Sequence, residues 1–175
     1  ILWVNLVEDG LPSFALAYEP KEKDVMKLPP SGAKTPILNR EMKTIIFIVG
    51  ITTAFMLLGI FMALFNITGN IDYARTVVFV ALGASSLLYI FSIKSLRRSI
   101  FRIDILNNKY LIGSVLFGFL MLLVAIYVPF FQDILGTVPL GIAAWAIVAG
   151  LSVINLLGIE LAKAVFIHRK QTQKA

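Results

Sequence analysis

The sequence contains no cysteine, one histidine and few charges, since only 15% of its 175 residues are Asp, Glu, Lys or Arg. The absence of cysteine excludes a secreted disulfide scaffold, and a single histidine makes no metal site. In contrast, 58% of the residues are hydrophobic and the mean hydropathy is +0.86. This excess excludes intrinsic disorder. It also exceeds what a soluble fold of this size could bury, so the composition predicts a polytopic membrane protein.

Four long uncharged stretches predict membrane-spanning helices, because each reaches the roughly 18 residues needed to cross a bilayer. They are residues 44–65, 76–93, 110–132 and 136–159. A fifth apolar stretch, residues 1–18, begins without Met or a basic flank, and we interpret it as a helix cut from a longer protein. We therefore expect an all-α polytopic membrane helix bundle with five transmembrane helices. Its parts are a first helix at 1–18, a loop at 19–43, and a four-helix bundle with a basic tail at 44–175.

The positions of the basic residues agree with the five predicted membrane helices. All 16 Lys and Arg residues except Arg75 fall in the loop at 19–43, in the loop between the third and fourth helices, or after the fifth helix. The positive-inside rule places these segments in the cytoplasm. We expect an integral multi-pass protein of the plasma membrane with a cytoplasmic C-terminus, the lipid bilayer as a partner and no nucleic-acid partner. Near the end of the fifth helix, Glu160 and Lys163 are spaced for an ion pair at the membrane interface.

Three polar residues in the first helix, Asn5, Glu8 and Asp9, require a functional explanation. A charged side chain in the middle of a membrane costs about 2.5–3.5 kcal/mol, and packing alone does not require two of them. At 100° per residue the three side chains fall within an arc of about 100°, so they can face one interior point. All three provide oxygen atoms, which hard cations prefer. The alternative is a helix end at the interface, where Glu8 and Asp9 meet water.

The backbone next to these residues is predicted to be interrupted. Gly10 is a poor helix former, and Pro12 lacks the N–H that would bond to the carbonyl of Glu8. An interrupted helix directs free backbone oxygens toward a cavity, as occurs at the ion sites of transporters.

Several motifs resemble one known family. The run ILWVNLVEDGLP at residues 1–12, continued by ALAYEP at 15–20, resembles the sixth transmembrane helix of P-type cation-transporting ATPases, especially calcium pumps. The segment DVMKLPP at 24–30 resembles the loop that follows it, and YVPF at 127–130 and TVPL at 137–140 resemble the turn between the last two helices. The resemblance implies helices six to ten of a ten-helix pump. The upstream transmembrane and cytoplasmic domains would be its partners and would carry the phosphorylated aspartate, ATP and Mg²⁺.

Residue by residue, Asn5 and Asp9 match positions that coordinate the transported cation in calcium pumps. Glu8 departs from the pattern, because reticulum-type pumps have threonine there and some relatives methionine. Two adjacent carboxyls do not both ionise easily without a cation, so one is expected to hold a proton in the empty state. Ser86 falls near a position where reticulum-type pumps have another ligand carboxylate, which favours one ion per cycle. The resemblance ranks Ca²⁺ first as the transported cation, with H⁺ and Na⁺ as alternatives.

Two other classes of function remain open from the sequence: a gradient-driven transporter or channel module, and a non-transporting membrane scaffold subunit. The chain has no Gly-rich phosphate loop, no Gly-x-Ser-x-Gly motif and no His/Cys cluster, so we assign no catalytic residue. We expect the fragment to contribute to a translocating ATPase without itself binding or hydrolysing ATP.

Overall fold

A computed structural model describes residues 2–20, 40–94, 100 and 104–172, with side chains over the same ranges apart from 40, 41, 45 and 165–172. The described residues form helices and no strand. In chain order they are a π-helical turn (Val4–Glu8), α1 (Gly10–Leu16), α2 (Arg40–Thr68), α3 (Ile71–Ile93), a 3₁₀ turn (Ile105–Asn107), α4 (Lys109–Tyr127), α5 (Pro129–Leu135) and α6 (Ile142–Thr172). The expected all-α membrane bundle is confirmed.

Four of these helices are long and apolar enough to cross a membrane: residues 42–68 of α2, all of α3, all of α4, and residues 142–164 of α6. They correspond to the four uncharged stretches. The first predicted helix, at 1–18, is present as the π-helical turn followed by α1, and we call these two pieces, Val4–Leu16, the site helix. Each piece alone is shorter than a membrane span, because the helix is interrupted at Asp9.

Helix α3 lies at the centre of the bundle, where it packs against α2, α4, α6 and the π-helical turn. Its buried face carries many small residues, which allow neighbouring helices to approach closely in a membrane; they include Ala74, Ala81, Gly83, Ala84, Ser85 and Ser86. The site helix packs mainly against α4. Large apolar side chains such as Phe47, Phe55 and Leu116 are exposed on the outer faces of the helices, as expected where a helix meets lipid.

The fourth predicted span is shorter than expected. Residues 110–132 were predicted as one helix, but α4 ends at Tyr127, Val128 is extended, and α5 begins at Pro129. Proline has no N–H, and the residue before it avoids the helical region, so Pro129 ends one helix and occupies the first turn of the next. Helix α5 then ends at Gly136, whose φ of +63° is accessible to glycine without strain.

The two ends of the bundle differ in charge. We call the end that carries Glu19, Lys94 and Lys163 the basic end, and the end that carries Arg75 and Gly136 the opposite end. At the basic end, Lys163 contacts Glu160 at 2.8 Å, so the ion pair predicted from their spacing is present. Most of the predicted loop at 19–43, including the motif at 24–30, lies outside the described residues, as do residues 173–175 of the predicted basic tail.

Candidate cation-binding site

The site helix changes from a π-helical turn to an α-helix at Asp9. The backbone N–H of Asp9 donates to the carbonyl of Val4 at 2.9 Å, which is an i→i+5 bond, and the N–H of Ser13 donates to the carbonyl of Asp9 at 3.1 Å. Pro12 lies in the first turn of α1, where a missing N–H is tolerated. It cannot donate to the Glu8 carbonyl, as the sequence predicted. Single π-helical turns of this kind occur frequently at functional sites.

Glu8 is fully buried, with 0% of its surface exposed. Neither oxygen of its carboxyl group has a hydrogen-bond partner within the described part of the chain. Gly83 of α3 makes room for this side chain, because a Cβ built there would overlap Oε2 of Glu8. Gly118 of α4 makes room chiefly for Leu87, whose Cδ2 would lie 2.6 Å from a Cβ at that position, while the Glu8 carbonyl oxygen would lie at an ordinary contact distance of 3.5 Å. A buried carboxylate without a partner is costly, and buried unsatisfied groups of this kind call for a specific explanation.

Asp9 is half-buried and points to a different part of α3. Its Oδ1 accepts a hydrogen bond from the hydroxyl of Ser86 at 2.7 Å, and this hydroxyl also lies 2.9 Å from the carbonyl oxygen of Gly83. Ser86 is therefore in contact with the carboxylate of Asp9. Because Gly83 borders Glu8 and Ser86 borders Asp9, one turn of α3 faces both acids.

Asn5 differs from the two acids in exposure. Its side chain is exposed, whereas Glu8 is buried and Asp9 is half-buried. The expected arc of about 100° assumed α-helical geometry, and the i→i+5 turn from Val4 to Asp9 widens the helix in this segment. That the three side chains face one cation stays a prediction.

The described residues provide an incomplete set of cation ligands. Two adjacent carboxylates and the backbone carbonyl of Glu8 are oxygen donors suited to a hard cation. Ca²⁺ takes six to eight oxygens, more than these groups supply, and the described residues contain no cluster of three or more acidic, His or Cys side chains. Any complete site would therefore need further ligands, and the exposed face that carries Asn5 is where another element could provide them.

Sequence reasoning did not identify Gly83 as part of the site. It is a single glycine inside an apolar helix, where the sequence pattern alone indicates only weak helix propensity. Its role depends on which side chain faces it from the site helix, and that is a long-range property of the fold.

The fold and this site define a class: a membrane helix bundle in which an interrupted helix holds buried carboxylates among long apolar helices. The family model described as "Cation transporting ATPase, C-terminus" matches residues 1–165. The chain belongs to this family, and it is accordingly part of an integral membrane protein.

Individual relatives agree with the family. The chain is 37% identical over 158 residues to a calcium-transporting ATPase of Bacillus subtilis (strain 168), which covers 88% of this chain and 17% of the relative. It is 36% identical over 181 residues to calcium-transporting ATPase 1 of Bacillus cereus, covering 93% of this chain and 20% of the relative. It is 28% identical over 176 residues to the human calcium-transporting ATPase type 2C member 1, covering 99% of this chain and 19% of the relative. The chain thus spans about a fifth of the length of the curated relatives it matches.

Proposed function

We propose that this chain forms helices six to ten of an ATP-driven cation pump and contributes Asn5, Glu8 and Asp9 to the site of the transported cation. Ca²⁺ is the proposed cargo. The remaining ligands would come from transmembrane helices upstream of residue 1, and ATP and Mg²⁺ would bind to the pump's cytoplasmic domains. No residue of this chain takes part in ATP hydrolysis.

The observation that carries the proposal is the buried, unpartnered carboxyl group of Glu8 next to Asp9 at an interrupted helix. Two carboxylates that are left without a counter-charge in a membrane are expensive, and a divalent cation would balance both charges at once. This balance favours Ca²⁺ over Na⁺ as the cargo. The names of the relatives, which are calcium-transporting ATPases, point in the same direction.

The proposed orientation places the basic end of the bundle in the cytoplasm. The positive-inside rule supports this assignment, because Arg75 is the exception among 16 basic residues. The site would then lie in the membrane between the cytoplasm and the outer side of the plasma membrane. Phosphorylation of the upstream domains would expose it to each side in turn.

The first test measures Ca²⁺-dependent ATP hydrolysis by the complete pump in membrane vesicles, comparing the wild type with Asp9→Asn. We expect Asp9→Asn to lose Ca²⁺-dependent turnover while inserting normally, because it removes a ligand charge and preserves the side-chain shape. A non-transporting scaffold predicts instead that Asp9→Asn is silent or stabilising. A gradient-driven module predicts cation flux that does not depend on ATP.

The second test concerns the departure at Glu8. We propose that Glu8 is a ligand in the loaded state and carries a proton when the site is empty, so that a proton is exchanged for the cation. Glu8→Gln should change the dependence of Ca²⁺ transport on pH. If transport and its pH dependence are the same in Glu8→Gln and the wild type, the role of Glu8 is disproved, whereas Asp9 and Asn5 remain candidates.

A further inference from the structure

The end of the site helix is attached to the rest of the bundle by Glu19, three residues after α1. Its Oε1 lies 2.9 Å from Nζ of Lys94, at the end of α3, and its Oε2 accepts a hydrogen bond from Nδ2 of Asn108 at 3.0 Å. Asn108 is the N-cap of α4. A single carboxylate thus connects the ends of three helices, and we call these residues the Glu19–Lys94–Asn108 cluster.

Asn108 makes a second contact with the site helix. Its Nδ2 also donates to the carbonyl oxygen of Ala15 at 3.0 Å, while its Oδ1 accepts from the N–H of Leu111 at 3.0 Å. The Ala15 carbonyl also accepts from the N–H of Tyr18 at 3.1 Å, in the turn that follows α1. The side chain of Asn108, which is 2% exposed, thus contacts the end of α1 and caps the start of α4 at once, and it fixes their relative position.

Lys94 extends the cluster to the segment before α4. Its side chain is 3% exposed, and its Nζ donates to the carbonyl oxygen of Asp104 at 3.0 Å as well as contacting Glu19. A buried ion pair contributes little net stability, because desolvation offsets the attraction, and its best-attested use is to fix register between elements. These contacts join residues that are far apart in the chain, so their role is to fix the positions of α1, α3 and α4 relative to one another.

This register bears directly on the candidate cation site. Ala15 is six residues after Asp9, about 9 Å along the helix at 1.5 Å per residue. Helix α1 is a short rigid piece between them, so a shift or rotation at Ala15 moves Asp9 relative to Ser86 and Glu8 relative to Gly83. On the other side of Asp9 the π-helical turn, which contains Glu8, packs directly against α4 and α3, so the attachment at Ala15 acts on the acids from the α1 side.

We infer that the Glu19–Lys94–Asn108 cluster is a positioning device that sets the affinity of the pump for its cation. The inference rests on the proposed function. Glu19, Lys94 and Asn108 touch no cation; they act by holding α1 in the register that brings the two carboxylates to α3. Weakening the cluster should lower cation affinity and leave the maximal rate at saturating cation nearly unchanged.

The test uses the complete pump and measures ATP hydrolysis against Ca²⁺ concentration. Asn108→Ser keeps a capping oxygen for α4 but cannot reach Ala15, and Glu19→Gln keeps the shape and removes the charge. We expect each to raise the half-saturating Ca²⁺ concentration about three- to tenfold, the equivalent of one lost hydrogen bond, with a maximal rate within about twofold. Asp72→Asn, which removes the acid of the exposed Arg75–Asp72 pair at the opposite end, is the matched control and should change neither quantity.

A charge exchange separates positioning from general stability. Glu19→Lys alone should raise the half-saturating Ca²⁺ concentration further, and adding Lys94→Glu should restore it in part, because the pair is re-formed with reversed polarity. Unchanged Ca²⁺ dependence in Asn108→Ser and Glu19→Lys would overturn the inference. The inference would also be overturned if the maximal rate and the amount of folded protein both fell and the charge exchange restored neither. If Asp9→Asn keeps full Ca²⁺-dependent turnover, the proposed function itself fails. This outcome is distinct from the two results that would overturn the inference on the cluster.

Discussion

At the scale of single residues, Gly83 determines whether the Glu8 carboxyl group fits against α3. A Cβ at this position would overlap Oε2 of Glu8, lie 3.0 Å from its carboxyl carbon, and lie 3.1 Å from Cδ1 of Leu122. Glu8 and Leu122 are both fully buried. The absence of a side chain at Gly83 thus leaves the space that the carboxyl group of Glu8 occupies.

We expect Gly83→Ala to weaken Ca²⁺ binding by the complete pump about tenfold, because displacing the Glu8 carboxylate removes or misplaces one charged ligand. A tenfold change corresponds to about 1.4 kcal/mol. The measurement is the Ca²⁺ concentration that gives half-maximal ATP hydrolysis. Gly113→Ala on α4 is the matched control, since a Cβ there meets nothing within 4 Å. Equal Ca²⁺ dependence in the two variants would mean that Gly83 does not position Glu8.

At the scale of secondary-structure elements, the interruption of the site helix leaves the Glu8 carbonyl without its i→i+4 donor. Pro12 is the cause, and its side chain is buried. Proline in this first turn of α1 costs little, whereas in the middle of a continuous helix it would cost about 3 kcal/mol. The sequence therefore favours two helical pieces over one.

Replacing Pro12 by alanine should allow the helix to continue through Asp9. We expect Pro12→Ala to raise the thermal stability of the pump or leave it unchanged, because a backbone N–H becomes available to Glu8. Ca²⁺-dependent turnover should fall severalfold, since a carbonyl engaged in the helix no longer faces the cation. The measurements are thermal unfolding in detergent and ATP hydrolysis in vesicles. Full turnover in a pump of unchanged or higher stability would show that the interruption is dispensable.

The elements also show how far the sequence can predict this molecule. The four long helices follow from uncharged stretches of sufficient length, and the interruption follows from Gly10 and Pro12, because these signals are local. The uncharged stretch 110–132 does not indicate the break before Pro129, because the apolar run continues through it and hydropathy does not detect the lost N–H; only the resemblance of YVPF at 127–130 to a turn indicates it. The π-helical turn was not predicted, because an i→i+5 turn has no reliable sequence signal.

The contacts of the site helix were beyond prediction from local patterns for a different reason, and only Ser86 was indicated, by the resemblance. Asn108 and Ala15 are separated by 93 positions, and Ser86 and Asp9 by 77. Nothing in the local pattern of either partner indicates the other. Asn5, Glu8 and Asp9 could be identified as unusual because charge in a membrane is costly, whereas their neighbours are ordinary residues in apolar or capping positions.

At the scale of the whole molecule, a buried polar cluster joins α6 to α3 at the basic end. The ammonium group of Lys163 donates to the carbonyl of Ser92 at 2.8 Å, to its hydroxyl at 3.2 Å, and to Oε1 of Glu160 at 2.8 Å. Oε2 of Glu160 accepts from the N–H of Ile100 at 3.2 Å. The cluster thus also contacts Ile100, and its loss should affect the bundle as a whole.

We expect Lys163→Met to destabilise the pump by about 3–5 kcal/mol, because it removes the buried ammonium group that donates to Glu160 and Ser92. Adding Glu160→Gln should recover much of this loss, since the negative charge that the ammonium group faces is then absent. The measurement is thermal unfolding of the detergent-solubilised pump for the single and double variants. Equal stability of Lys163→Met and the wild type would show that the pair is energetically neutral.

The identity of the cargo can be tested on the whole molecule without turnover, because a cation that binds only the folded pump must stabilise it. At a concentration 100-fold above the dissociation constant the gain is about 2.7 kcal/mol. We expect Ca²⁺ to raise the unfolding temperature of the wild-type pump and of Asp72→Asn, and to have no such effect on Asp9→Asn. Na⁺ at equal ionic strength should not reproduce the shift, because one positive charge leaves one of the two carboxylates uncompensated. Stabilisation by Na⁺ and not by Ca²⁺ would reassign the cargo, and stabilisation of Asp9→Asn equal to that of the wild type would place the cation elsewhere in the pump.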